Sequence, residues 1–90
     1  MLNCDQFMNN ILIEKTHRHS LRNRAEIEKS SRCGCFSCIE IFDASEIQAW
    51  IDQGKTAVCP YCGVDAVIGD ASGVKLYKEL LKQMYEKYFL

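Results

Sequence analysis

Apolar residues recur every three or four positions near both ends of this 90-residue chain, which predicts a helix at each end. In the N-terminal part, Asp5 is in position to cap a short helix. A second helix is predicted from Ser20, as its N-cap, to about Lys29. We expect the apolar stripe of the first helix in the core or at an interface; it consists of Phe7, Met8, Ile11 and Leu12.

The last part of the chain, residues 74–90, has the longest helical pattern. Its apolar face is wide, and charged Lys and Glu residues occupy the opposite face. We expect this helix to fold back onto the domain, either entirely as core or with apolar surface left for a second copy of the chain or another protein. The candidate interface residues are Tyr77, Leu81, Met84, Tyr85, Tyr88 and Phe89.

Between these helices the pattern predicts a short strand followed by a third helix. Residues 39–42 alternate as they would in a half-buried strand. Asp43 and Glu46 have the spacing of a capping box, which marks the start of a helix. The predicted helix includes Trp50 and ends before Gly54, a residue typical of helix C-caps.

The cysteines add chemistry to this pattern, because four of the six are spaced as two Cys-x-x-Cys pairs. Two such pairs at this separation can place four thiolates around one Zn²⁺, as in structural zinc sites. Cys33 is an alternative to Cys35 as the partner of Cys38, and no Cys or His stands at a matching spacing beside Cys4. The predicted cofactor is one structural zinc ion. Its predicted ligands are Cys35, Cys38, Cys59 and Cys62.

The residues around the second cysteine pair predict the fold class. Residues 56–58 and 64–68 predict a hairpin with residues 59–63 at its tip, which is the geometry of a zinc ribbon. In a treble clef, the main alternative, the second pair would open a helix, and the β-branched residues after Gly63 argue against one. We predict one small α+β zinc-binding domain, made of an N-terminal helical and basic segment (1–32), a zinc ribbon (33–73) and a C-terminal amphipathic helix (74–90).

Chain length and apolar runs bear on stability and compartment. The chain is too short for a large apolar core, so zinc binding is expected to contribute to folding. It has no apolar run long enough for a signal peptide or a membrane span. We therefore expect a cytoplasmic protein whose cysteines are metal ligands or free thiols rather than disulfides.

Charge is unevenly distributed, although the net charge is only −1. Residues 14–32 carry six Lys and Arg against three Glu, whereas residues 33–74 carry one Lys against six acidic residues. The basic segment is a candidate for contact with nucleic acid or an acidic protein, and a solvated helix surface explains it equally well. His17 and His19 are candidates for a second metal or for proton transfer. The candidate contact residues are Arg18, Arg22, Arg24, Lys29 and Arg32.

Several of these segments together resemble a family of small bacterial zinc-ribbon proteins that are usually labelled only as cytoplasmic proteins. The resemblance covers about residues 17–90 and is most specific in residues 33–38 and 56–69. It implies a zinc-ribbon fold and a cytoplasmic location, and it carries no reaction, substrate or catalytic residue. The other matching segments are Arg18-His19-Ser20, Asn23-Arg24-Ala25-Glu26-Ile27, Glu46-Ile47 and Trp50.

Three functions are compatible with these features. The first, which we favour, is a non-enzymatic, zinc-stabilised module that binds a protein partner or a second copy of itself, as a small phage-related or mobile-element regulator or inhibitor would. The second is a nucleic-acid-binding zinc ribbon that uses the basic segment 15–32. The third is a nuclease-like treble-clef enzyme that uses His17 or His19, although the sequence shows no acid–base partner for either. No association with membranes is expected.

Overall fold

The first helix, α1, is longer than the sequence pattern predicts. The computed structural model describes the backbone of residues 4–90 and the side chains of residues 10–90. Helix α1 covers Cys4–Arg18. The predicted cap Asp5, the thiol of Cys4, and the predicted stripe residues Phe7 and Met8 have side chains outside the described part of the chain.

The buried side of α1 also differs from the predicted stripe. Ile13 and Thr16 are buried, whereas Leu12 lies at the surface. The two buried residues are three positions apart, so they lie on one side of the helix. Helix α1 packs against the C-terminal helix, and a salt bridge of 3.0 Å between Glu14 and Lys87 joins the two helices.

The second helix, α2, is short and covers Arg24–Glu28. The prediction that Ser20 caps it is wrong, because the Ser20 hydroxyl donates a hydrogen bond of 2.7 Å to the carbonyl of His17, at the end of α1. Asn23 directly precedes α2, but its side chain does not cap the helix and instead forms hydrogen bonds with other parts of the chain. Ile27 is the buried residue of α2.

Five short strands follow within the described residues: β1 (Arg32–Cys35), β2 (Ile41–Asp43), β3 (Trp50–Ile51), β4 (Thr56–Ala57) and β5 (Val67–Gly69). Strand β1 is the centre of an antiparallel sheet in the order β2-β1-β5, and β3 and β4 form a separate hairpin. In the register of the sheet, Cys33 of β1 is opposite Phe42 on one side and Gly69 on the other. The strand predicted at residues 39–42 is present as β2, two residues later.

The helix predicted after Asp43 is wrong, although its capping box forms. The Glu46 carboxylate accepts a hydrogen bond of 2.9 Å from the Asp43 N–H, but only a single 3-10 turn follows, at Ala44–Glu46. Ile47 is already extended, and Trp50 begins β3. Large aromatic and β-branched residues favour strands, and here they find a partner strand in β4.

The hairpin predicted between residues 56–58 and 64–68 is also wrong. Strand β4 pairs with β3, and β5 pairs with β1. A turn at residues 52–55 makes the first pairing possible, because Asp52, Gln53 and Gly54 all have positive φ and reverse the chain. The α+β class is therefore correct, while the strand pairing around the second cysteine pair differs from the predicted ribbon.

The C-terminal helix, α3, covers Lys78–Phe89. It begins four residues later than predicted, because Tyr77 is still extended. Leu81 and Met84 are fully buried, and Leu81 packs closely on Gly34 of β1, where a Cβ atom would lie only 3.0 Å from a Leu81 methyl group. These two residues belong to the core of the chain itself, which corrects their assignment to a partner interface. Among the described residues, no helix is both long and apolar enough to cross a membrane.

Candidate metal centre

The four cysteines of the two Cys-x-x-Cys pairs lie together. Their Sγ atoms are all within 4.8 Å of one another, close enough for all four to bind one metal ion. Two distances across the pairs are equal: Cys35 Sγ to Cys62 Sγ and Cys38 Sγ to Cys59 Sγ are both 3.7 Å. Cys35 and Cys59 are buried, Cys38 is half-buried and Cys62 is exposed, so the cluster lies at the surface with one side in the core.

The two cysteine pairs have the same backbone hydrogen bonds, so we call each pair with its turn a knuckle: residues 35–40 and residues 59–64. In each knuckle the N–H of the first cysteine donates to the carbonyl five residues later, at 2.9 Å in both. The carbonyl of that cysteine accepts from the N–H four residues later, at 2.8 Å in the first knuckle and 3.0 Å in the second. The first knuckle is therefore as regular as the second.

Backbone N–H groups also point at the sulfur atoms. The N–H of Ser37 donates to Cys35 Sγ at 3.3 Å, and the N–H of Tyr61 donates to Cys59 Sγ at 3.4 Å. The second cysteine of each pair likewise receives an N–H from two residues later, from Glu40 in the first knuckle and Val64 in the second. These donors stabilise negative charge on sulfur, which is the form in which cysteine binds metal.

The pKa values of the thiols describe the cluster without metal. Burial raises the pKa of Cys35, and it raises that of Cys38 to about 11. Burial also acts against the Cys62 thiolate, but the N–H of Val64 and the three neighbouring thiols together lower the pKa of Cys62. In the metal-free protein, Cys35 and Cys38 therefore carry their protons at neutral pH.

Cys33 lies outside this group. It is fully buried in β1, and burial together with the charge of Asp70 raises its pKa to about 12. The repeated hydrogen bonds start at Cys35 and not at Cys33, so Cys35 is the partner of Cys38 in the knuckle. Among the described residues, no other group of three or more His, Cys, Asp or Glu could hold a metal ion, and neither His17 nor His19 belongs to the cysteine cluster.

Contacts to the rest of the fold hold the two knuckles in place. The N–H of Phe36, in the first knuckle, donates to the carbonyl of Ala66 at 3.0 Å. The hydroxyl of Tyr61, in the second knuckle, donates to the Glu46 carboxylate, and this hydrogen bond lowers the pKa of Glu46. The ring of Tyr61 also packs against that of Phe42, in β2, with the ring centres 5.6 Å apart.

The structure separates the five basic residues predicted as contact residues into two groups. The guanidinium of Arg24 forms a salt bridge of 3.4 Å with Glu28 and donates a hydrogen bond of 2.9 Å to the carbonyl of Gly54. It also lies over the ring of Trp50, 4.5 Å from the ring centre. Arg32 forms a salt bridge of 3.4 Å with Asp43. The remaining three, Arg18, Arg22 and Lys29, line one concave surface of about 400 Å³, which we call the basic cleft.

A second concave surface, of about 470 Å³, lies between the C-terminal ends of α1 and α3, and we call it the aromatic cleft. The rings of His17 and Tyr88 stack here with their centres 3.9 Å apart, and Phe36 packs against Phe89 at 5.8 Å. The cleft is mostly apolar, with Arg18, Ser20 and Asp65 supplying polar atoms. Three predicted interface residues are in this region: Tyr88 and Phe89 line the cleft, and Tyr85 stacks on Phe89.

Asn23 is a structurally central residue that the sequence pattern did not identify. Its side chain is buried, and its amide N–H₂ donates to the carbonyls of His19 at 2.9 Å and Val67 at 2.8 Å. Its amide oxygen accepts from the N–H of Ala57 at 3.1 Å. Asn23 thereby joins the end of α1, β4 and β5, which flank the second knuckle. Its position before α2 resembles an ordinary helix cap, and nothing local reveals the distant partners.

Comparisons with known proteins identified no similar protein. No protein-family model matches the chain. Searches of curated proteins and of solved structures likewise found no match.

Proposed function

We propose that the four-cysteine cluster binds one structural Zn²⁺. The observation that supports zinc is the spacing of the sulfur atoms. A tetrahedral site with Zn–S distances of about 2.3 Å has S···S edges of about 3.8 Å. The distances of 3.7 Å between Cys35 and Cys62 and between Cys38 and Cys59 match such edges, and all four sulfur atoms lie within 4.8 Å of one another.

The donor set indicates a structural role for the ion. Four thiolates fill a tetrahedral coordination sphere and leave no position for water or substrate, whereas catalytic zinc sites keep one position open. Thiolate ligands also require a reducing compartment, which is consistent with the cytoplasm. We therefore propose a protein without enzymatic activity, in which zinc holds together two knuckles that are separated by eighteen residues.

We further propose that this zinc-stabilised domain is a protein-interaction module, and that the aromatic cleft is its binding surface. The observation that supports this function is the surface exposure of large apolar side chains around a concave site. Phe89 is 44% exposed and Leu21 is 60% exposed, although both line the cleft. Aromatic residues, including Phe, are enriched in protein interfaces relative to the rest of the surface. A large apolar side chain of a partner is the group that the cleft would take.

A selection experiment on the zinc-loaded protein tests this proposal. A random peptide library displayed on phage is selected against the protein, and the affinities of enriched peptides are measured by fluorescence anisotropy. Phe89→Ala should weaken binding by about tenfold or more, which is the typical effect of removing an aromatic anchor. Tyr77→Ala is the matched control, because Tyr77 is also 44% exposed but lies before α3 and does not line the cleft. No enriched peptides, or equal effects of the two variants, would refute the cleft as the binding surface.

A further inference from the structure

The aromatic cleft and the basic cleft are adjacent. Arg18 and Leu21 line both of them, so a ligand that fills one cleft can extend into the other without leaving the protein surface. The two differ in character, because the first is mostly apolar whereas cationic side chains dominate the second. A ligand that fits both has an apolar group beside anionic groups.

Among the described residues, none forms an ion pair with the cations of the basic cleft. Within the side chains that the structure describes, no acceptor lies at ion-pair or hydrogen-bond distance from the charged groups of Arg18, Arg22 and Lys29. One carboxylate lines the cleft, that of Glu26, and it is already used by His19 at 2.9 Å. Three cations against one carboxylate leave the cleft with an excess of positive charge that an anionic ligand can neutralise.

Arg22 is also held in place by its backbone. Its φ is +51°, in the left-handed region, and its N–H donates a hydrogen bond of 2.9 Å to the hydroxyl of Thr56. Thr56 is fully buried and in turn donates to Asp52 at 2.8 Å. The turn that carries Arg22 is thus tied to β4, and a fixed backbone lowers the entropy cost of binding an anion there.

We infer that the partner docks through an acidic segment that carries one large apolar side chain, with the apolar group in the aromatic cleft and carboxylates in the basic cleft. This inference rests on the proposed function, because it specifies the chemistry of the ligand at the same surface. Arg18, which lines both clefts, would lie between the apolar group and the first carboxylate.

A peptide fits this surface better than a nucleic acid does. Asp65 lines the aromatic cleft, where it would repel a phosphate beside a stacked base but can accept an N–H from a peptide backbone. Residues 33–74 are strongly acidic, and nucleic-acid binding depends on neutralising many phosphates. Three cations grouped in one cleft can pair with a few carboxylates, whereas a continuous phosphate backbone would need cations along an extended surface.

The test uses peptides enriched against the zinc-loaded protein and two charge variants. Arg22→Gln/Lys29→Gln removes two charges from the basic cleft, and Lys78→Gln/Lys82→Gln removes two charges from exposed positions of α3 that line neither cleft. We expect the enriched peptides to combine acidic residues with a Phe, Trp, Tyr or Leu. The cleft variant should weaken their binding by about tenfold, and the α3 variant by less than about twofold.

Changing the ligand provides a second measurement that does not depend on the folding of a variant. Replacing the acidic residues of an enriched peptide with Gln or Asn should weaken its binding to the unaltered protein by a similar factor. Binding of the acidic peptide should also fall as salt is raised. Single-stranded oligothymidylate serves as the nucleic-acid probe, and it should bind more weakly than the peptide at physiological salt.

The outcomes separate this inference from the proposed function. If peptide binding depends on Phe89 but not on Arg22 and Lys29, the inference of an acidic segment is refuted while the proposed interaction module stands. Peptides that do not depend on Phe89 would refute the proposed function itself. Tighter binding of oligothymidylate than of any selected peptide, lost in Arg22→Gln/Lys29→Gln, would replace the peptide with a nucleic acid as the ligand.

Discussion

Ile39 and Gly63 occupy the same position in the two halves of the metal centre. Each follows the second cysteine of its pair, and each has a left-handed backbone, with φ of 63° for Ile39 and 77° for Gly63. The N–H of each donates to the carbonyl of the first cysteine in its knuckle. The left-handed residue is thus part of how each knuckle turns its cysteines toward the metal, and glycine is favoured there only because it has no Cβ.

This equivalence predicts the effect of substitutions at Gly63. A Cβ atom at Gly63 would meet nothing within 4 Å, so any cost of Gly63→Ala comes from the backbone conformation alone. We expect Gly63→Ala to lower the free energy of unfolding of the zinc-loaded protein by about 1–2 kcal/mol. Gly63→Asn should cost less, because Asn tolerates the left-handed region. Denaturant unfolding measures both, and equal stability of Gly63→Ala and the unaltered protein would contradict the strain argument.

A second prediction separates Cys33 from the metal ligands. Cys38→Ala should abolish zinc binding and most of the cooperative unfolding transition, because metal binding and folding are coupled in small domains of this kind. Cys33→Ala should keep one zinc per chain and lose only about 1 kcal/mol, the cost of a small cavity in β1. Zinc content by elemental analysis and circular dichroism with and without chelator report both effects. Loss of zinc from Cys33→Ala, with Cys38→Ala retaining it, would reassign the first knuckle.

The metal ligands could be predicted from the sequence because the knuckles are local. Each sulfur receives its N–H from two residues further along the chain, so the Cys-x-x-Cys spacing itself brings donors and sulfur atoms together. Gly63 fits the same local pattern, because glycine adopts the left-handed conformation without a steric penalty. Ile39 was not recognised, because β-branched residues rarely adopt this conformation. Ile39 packs against the core, and this contact offsets the strain of its backbone.

The middle of the chain could not be predicted in the same way. The capping box at Asp43 and Glu46 forms as the local pattern requires, yet no α-helix follows. The competing interaction is the pairing of Trp50 with Ala57, which depends on a turn at residues 52–55 with three successive positive φ angles. The local sequence does not determine whether a helix or this strand pairing forms, because the outcome depends on tertiary contacts. The same reason explains why the predicted ribbon hairpin is absent.

A third prediction concerns protons and zinc. Burial raises the pKa of Cys35, and raises that of Cys38 to about 11, so both thiols are protonated at neutral pH before metal binds. Zinc binds thiolates, so loading the metal-free protein should release at least the two protons of these residues. Affinity for zinc should therefore fall as the pH is lowered. Calorimetric titrations with zinc in buffers of different ionisation enthalpy measure the number of protons, and a value near zero would contradict the thiolate site.

The last prediction concerns Asn23, which supports the metal centre without contacting it. Asn23→Ala removes two donors and one acceptor and leaves the carbonyls of His19 and Val67 and the N–H of Ala57 without these partners. Buried groups that lose their partners are costly, so we expect a loss of about 3 kcal/mol or more in the free energy of unfolding. Asn23→Asp should be at least as harmful at neutral pH, because it places a carboxylate beside two carbonyl oxygens.

The control for Asn23 is Gln48→Ala, which removes an exposed amide and should change stability by less than about 0.5 kcal/mol. Denaturant unfolding is measured with zinc present for all three variants. Because Asn23 bridges the strands on either side of the second knuckle, Asn23→Ala should also release zinc to a chelator faster than Gln48→Ala does. A loss of stability without faster zinc release would show that the bridge stabilises the fold but does not hold the knuckle in place. Unchanged stability would contradict the role assigned to the three hydrogen bonds.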